Sequence, residues 1–147
     1  MIDKKEYEST SAIVLFEDEY SFSFGKINVE YNALKFSWNS KGVVPEIEFI
    51  EGTSLVFIGV DNYVVGYYYR RRAIAFYLNT VANFKWFEKI ANGIGMIAET
   101  DIILLNTTSF CTLRNCHFFG DTIMGTSIEK NRIKVDFLID ESVMINI

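Results

Sequence analysis

Few residues in this chain can do covalent or acid–base chemistry, and their spacing limits what each can do. His117 is the sole histidine and stands beside Cys116 in the run RNCHFFG. A cysteine–histidine nucleophile pair must meet in space, whereas neighbours in an extended chain point to opposite faces. His117 therefore reads as a structural histidine. Cys111 and Cys116 are five residues apart, an odd offset that again separates the two side chains across a strand. They read as reduced, buried thiols and not as a disulfide, and no paired CxxC or HxxxH spacing completes a metal site. GxSxG, the P-loop, GxGxxG and HExxH are all missing from the sequence. Glu17, Asp18 and Glu19 are of the right type for general acid–base work, but they fall in a polar break, where a solvated turn is the simpler reading. Neither Asp101 with Asp121 nor Asp140 with Glu141 has the periodicity of a calcium loop. The expectation is no enzyme, no cofactor and no metal.

Binding chemistry is better represented. Arg70-Arg71-Arg72 is the only run of three basic residues; its guanidinium forks suit phosphate or carboxylate groups, or simply keep a hairpin turn in water. The preceding Tyr67-Tyr68-Tyr69, with Tyr63, places Tyr67 and Tyr69 on one strand face and Tyr68 on the other. Three hydroxyls seeking partners cannot all be buried equally, so at least one tyrosine is expected to reach a surface. Tyrosine and arginine are enriched at binding hot spots, which makes Tyr63, Tyr67, Tyr69 and Arg70 the first interface candidates; ordinary sheet aromatics remain the alternative. The acids Glu17, Asp18, Glu19, Asp61, Glu99, Asp101, Glu129 and Asp140 all fall at expected turns.

The elements that must carry these residues are strands. Runs rich in Val, Ile, Tyr and Phe are broken by Asp, Asn, Gly and Ser about every 8 to 12 residues, the all-β pattern. Tyr20–Gly25 alternates aromatic and serine, which reads as a half-buried strand. FIGVDNYVVGY slides by 39 residues onto MIAETDIILLN, with Asp61-Asn62 over Thr100-Asp101, and a further slide of 30 brings Glu99-Thr100-Asp101 over Glu129-Lys130-Asn131. EIEFIEG and NFKWFEKIANG supply a preceding strand for the first two copies. Four strands per repeat near a period of about 40 is the propeller-blade signature. The fold expected is all-β, antiparallel meanders forming a partial, open β-propeller, with a β-sandwich or barrel as the alternative. Residues 1–147 form one domain, in which 1–44 are N-terminal strands and 45–147 blade-like repeats. Equivalent turns line one rim of a repeat array, so Asp61, Asp101 and the Glu129 turn are expected to align. Trp86, between Phe84 and Phe87 in sequence context, is expected to anchor the core.

Composition narrows the partners. Half the residues are hydrophobic and 16% aromatic, too apolar for disorder. The net charge is −5, with 11 acids and 5 bases in residues 1–69 against 8 acids and 9 bases in 70–147. This argues against direct nucleic-acid binding and favours a basic partner. No apolar run has the length of a membrane span, and the N-terminal MIDKKEYEST lacks the apolar core of a signal peptide; a cytoplasmic protein is expected. Homo-oligomerisation through an open sheet edge is left undecided.

Across Glu46–Phe118, in SLVFIGVDNYVVGYYYR and FKWFEKIANGIGMIAETDIILLN, the chain resembles small acidic immunity proteins of bacterial contact-dependent inhibition systems. The likeness is one of repeat style, size and charge. It implies a protein that binds one cognate toxin C-terminal domain, often a ribonuclease or other nuclease, and occludes it without catalysis. The residues expected to face that partner are Glu17, Asp18, Glu19, Asp61, Tyr63, Tyr67, Tyr69, Arg70, Glu99 and Asp101. The competing reading is a propeller-derived interaction or assembly module with no toxin partner.

Overall fold

The computed structural model describes residues 1–139 and 141–147, so Asp140 lies outside the described residues. The chain begins with a short helix, α1 (Lys4–Ser9), in a run with no apolar periodicity. The Asp3 carboxylate caps it, accepting the Glu6 amide at 2.7 Å. At its other end the Lys35 ammonium donates to the carbonyls of Tyr7 and Thr10 at 3.1 and 3.2 Å and lies 4.6 Å from the Tyr7 ring centroid. A six-residue helix is too short to stand alone; this one is held by a cation reaching up from a strand.

Everything else regular is strand, and it falls into two compact units, Met1–Asn79 and Thr80–Ile147. In the first unit β1 (Ile13–Phe16), β2 (Ser23–Val29) and β3 (Asn32–Trp38) form a sheet in the order β1-β3-β2, with β1 parallel to β3 and β2 antiparallel to it. β4 (Glu46–Phe49), β5 (Leu55–Val60), β6 (Tyr63–Tyr68) and β7 (Ala73–Asn79) follow as an antiparallel meander. In the second unit β8 (Phe84–Ile90), β9 (Gly93–Ala98), β10 (Asp101–Asn106) and β11 (Thr112–His117) repeat that meander, and β12 (Ile123–Glu129), β13 (Arg132–Phe137) and β14 (Ser142–Asn146) form a third, shorter one. The fold is all-β, built from small sheets, and none of them closes into a barrel.

Each unit packs its two sheets over one core. Phe16, Leu34, Phe36 and Trp38 meet Val56, Ile58, Val65 and Tyr67 in the first. Ile97, Ile102 and Leu104 meet Ile133, Val135 and Ile145 in the second. At about 1.5–3 kcal/mol for each large apolar side chain taken from water, these clusters are what hold the sheets together. The N-terminal strands therefore share a core with the first repeat, and the division of the chain falls after β7. Trp86 is half-buried against the second cluster, and its indole donates to the Thr126 hydroxyl at 3.1 Å, which in turn donates to Glu88 at 2.6 Å.

The repeat is real, but its register differs from the sequence alignment by one residue. Val60 pairs with Tyr63 across a turn of Asp61-Asn62, and Ile97 pairs with Ile102, so the corresponding turn is Glu99-Thr100 and the hairpins align at an offset of 38. Asp101 is the first residue of β10 and no longer a turn residue. The third hairpin turns at Lys130-Asn131, an offset of 31 from the second. Because side chains alternate, one residue of slip reverses the face of every aligned position. Gly93 is required where β9 passes β10: a Cβ there would run into the Leu105 carbonyl oxygen.

Candidate interaction surface

One end of the first unit gathers acids and exposed aromatics. The chain leaves β1 at Phe16 and crosses to β2 through Glu17–Phe22. This loop is pinned to the end of β3, the Asp18 amide donating to the Ser37 carbonyl at 3.3 Å and the Phe22 amide to that of Trp38 at 3.1 Å. Asp18 turns it locally by accepting the Tyr20 amide at 2.9 Å, and the Ser21 and Ser37 hydroxyls are bonded at 2.7 Å. Two tyrosines fix the carboxylates: Tyr7 donates to Glu17 at 2.6 Å and Tyr63 to Asp18 at 3.2 Å. Burial, and then the bond to its carboxylate, pushes each phenol above its ordinary value. The Tyr63 ring also stacks on Phe16 at 4.9 Å.

The result is a preset acidic loop. Glu17, Asp18 and Glu19 line a cleft of about 450 Å³ together with Lys4, Tyr7 and Glu8. Tyr20 and Phe22, from the same loop, are 67% and 60% exposed. The Lys41 ammonium lies 4.9 Å from the Phe22 ring centroid, so a cation of the chain itself already occupies that face. The carboxylates held by phenols can recognise lysine or arginine by charge-assisted hydrogen bonds, with the ring of Tyr20 beside them.

The other expected contacts of the first unit lie away from this loop. Asp61 is 7% exposed; its Oδ2 accepts the backbone amides of Asn39 and Ser40 at 3.1 and 2.9 Å. That is a correction: Asp61 ties β3 to the β5–β6 turn and does not stand on a rim. Tyr67 is a second correction, since it is 1% exposed and belongs to the core. Tyr69 and Arg70 sit at the far end of β6, with Tyr69 packed against that core and Arg70 on Glu30 at 2.9 Å. Glu99 and Asp101 belong to the second unit. Glu99 accepts from the Asn83 amide group at 3.3 Å, and Asp101 faces His117 Nδ1 at 2.7 Å.

His117 is on the surface with the Phe119 ring edge-on at 4.3 Å, while Cys116 packs toward the core from the opposite face of β11. The two side chains therefore diverge, as the spacing implies. Cys111 corrects another expectation, being exposed and not buried. Among the described residues no group of three or more His, Cys, Asp or Glu could hold a metal, and no helix is long and apolar enough to cross a membrane.

Tyr7, Tyr20 and Phe22 were not singled out by sequence. The alternation in YSFSFG reads as a strand from Tyr20, whereas β2 starts only at Ser23, leaving Tyr20 and Phe22 in the loop. Only Phe24 keeps its expected half-buried role, 5.1 Å from the Tyr7 ring. Against known proteins, no family model and no curated relative matches this chain.

Proposed function

We propose that the chain is an immunity protein that binds a cognate toxin domain, a nuclease with a basic substrate-binding surface, and occludes it without catalysis of its own. The observation that carries this reading is the loop Glu17–Phe22, in which two carboxylates are held by Tyr7 and Tyr63 beside the exposed rings of Tyr20 and Phe22. Carboxylates fixed before contact lose less freedom on binding, and their charge speeds encounter with a cationic surface. Rings beside them supply the apolar area that charge alone does not. The recurrence of the four-stranded meander in β4–β7 and β8–β11, followed by the shorter β12–β14, supports a partial, open propeller as the scaffold. On this reading the protein acts in the cytoplasm, on a partner and not on nucleic acid.

A second reading, an interaction or assembly module without a toxin, draws on the edge strands β7 and β11. These carry Ile74, Tyr77 and Leu113 at 49%, 49% and 48% exposure. Co-expression with the neighbouring genes, capture at moderate salt and mass identification separates the two. A nuclease domain recovered in stoichiometric amount, inactive in the complex and lost when Glu17, Asp18 and Glu19 are changed to lysine, supports the immunity role. Recovery of copies of the chain alone removes it in favour of the module.

A further inference from the structure

The opposite end of the first unit is basic. Six residues of β6 at about 3.3 Å each place it roughly 20 Å from the acidic loop. The Glu30-Tyr31 turn joins β2 to β3 there, and Tyr69–Arg72 joins β6 to β7. The Asn32 side-chain amide ties the two turns together, donating to the Tyr69 carbonyl at 2.7 Å. Glu30, Tyr31, Asn32, Tyr69, Arg70 and Arg72 line a cleft of about 720 Å³, within the roughly 300–1,000 Å³ of small-ligand sites.

The three arginines take three different positions. Arg70 lays one edge on Glu30, Nε at 3.1 Å and Nη2 at 2.9 Å from Oε1, which fixes the plane of its guanidinium. Arg71 leaves the cleft and lies 5.2 Å from the centroid of the Tyr68 ring. Arg72 makes no hydrogen bond or ion pair with any described residue. With Glu30 matched by Arg70, Arg72 leaves the cleft with a positive charge in excess, in a chain whose net charge is −5.

Glu30 and Arg72 both hold left-handed backbone, at φ 46 and 53, as the turn residues Asp61 and Lys130 do elsewhere in the chain, so the cleft is framed by ordinary tight turns. Tyr31 stands at the cleft as a residue 93% exposed.

We propose that this cleft binds a small organic phosphate, with Arg72 and the remaining edge of Arg70 on the phosphate and the Tyr31 ring against the organic group. A single carboxylate is what Glu30 already supplies; an excess cation beside an oriented guanidinium suits a dianion. The site is independent of the acidic loop and does not rest on the toxin reading.

Calorimetric titration of the full chain with phenyl phosphate, and with inorganic phosphate as reference, tests it. Saturable binding is expected, tighter for phenyl phosphate, with Tyr31→Ala removing that preference. Arg72→Gly, which suits the left-handed position and so preserves the fold, is expected to weaken binding about ten-fold or more, while Arg71→Gln stays within about two-fold. No saturation up to about 10 mM phenyl phosphate, a concentration about ten-fold above a millimolar Kd, overturns the proposal. So does equal weakening by Arg71→Gln and Arg72→Gly, which would report general charge, or binding of an RNA oligonucleotide without binding of phenyl phosphate.

Discussion

Asp61→Ala is the sharpest test of the fold described here. The carboxylate is 7% exposed and accepts two backbone amides, from Asn39 at 3.1 Å and Ser40 at 2.9 Å. Hydrogen bonds to a charged acceptor contribute about 1.5–3 kcal/mol each. Taking the lower figure for both, because the two amides share one oxygen, gives about 3 kcal/mol for removal of the side chain. Asp61→Asn keeps an acceptor and tolerates the left-handed φ of 50, so only the charge is lost and about 1–1.5 kcal/mol is expected. At about 2–4 °C per kcal/mol for a chain of this size, the alanine variant melts roughly 6–12 °C lower and the asparagine variant about 2–6 °C lower. Urea unfolding followed by circular dichroism, with the fluorescence of the fully buried Trp38 isolated as a probe of this unit by a Trp86→Phe background, measures both. An alanine variant within about 0.5 kcal/mol of the parent, the ordinary range for a surface change, would refute the strut and return Asp61 to the surface.

Other perturbations follow from the same geometry. Tyr7, Tyr63 and Tyr67 all have phenols raised above their ordinary value, chiefly by burial. Their neutral forms are favoured in the folded state, so their contribution is intact below the unfolded pKa of about 10 and is lost as pH rises through the folded values. Alkaline melting should steepen above about pH 10, and Tyr7→Phe should make it shallower; an unchanged slope counts against Tyr7 as a source. Trp86→Phe removes one hydrogen bond, while Thr126 keeps Glu88, and should cost about 1 kcal/mol in urea unfolding; a loss above 3 kcal/mol would mean that Trp86 is a full core anchor after all. Lys130→Gly relieves a left-handed residue at φ 57 in an exposed turn and should stabilise by about 1 kcal/mol; destabilisation would show that the lysine side chain has a partner of its own.

How far the fold could be read in advance depended on how local its causes were. The meanders were legible because each strand is a short run of branched and aromatic residues closed by a polar pair, as in Val60-Asp61-Asn62-Tyr63. The one-residue error arose where Glu99-Thr100-Asp101 offers three polar residues for a two-residue turn; strand pairing, not polarity, selects the first two. Helix α1 was illegible because the Lys35 that stabilises it lies 28 residues from Tyr7. Asp61 looked like any turn acid because its partners are backbone amides more than 20 residues away, which leave no residue-type signal. Within the acidic loop the charges were visible, but the tyrosines that hold them come from α1 and β6.

The parallel pairing of β1 with β3 bears on the order in which this polypeptide is made. β1 emerges from the ribosome first but cannot be zipped in until β3 has followed it out, because β2 lies on the far side of β3. The Tyr63–Asp18 bond spans 45 residues, and closing such distant contacts is slow compared with forming a hairpin. The β2–β3 and β5–β6 hairpins can thus form early, whereas the acidic loop gains its final shape only after most of the first unit has been synthesised. A nascent or truncated chain ending before Tyr63 would carry the charges of that loop without the geometry that orders them.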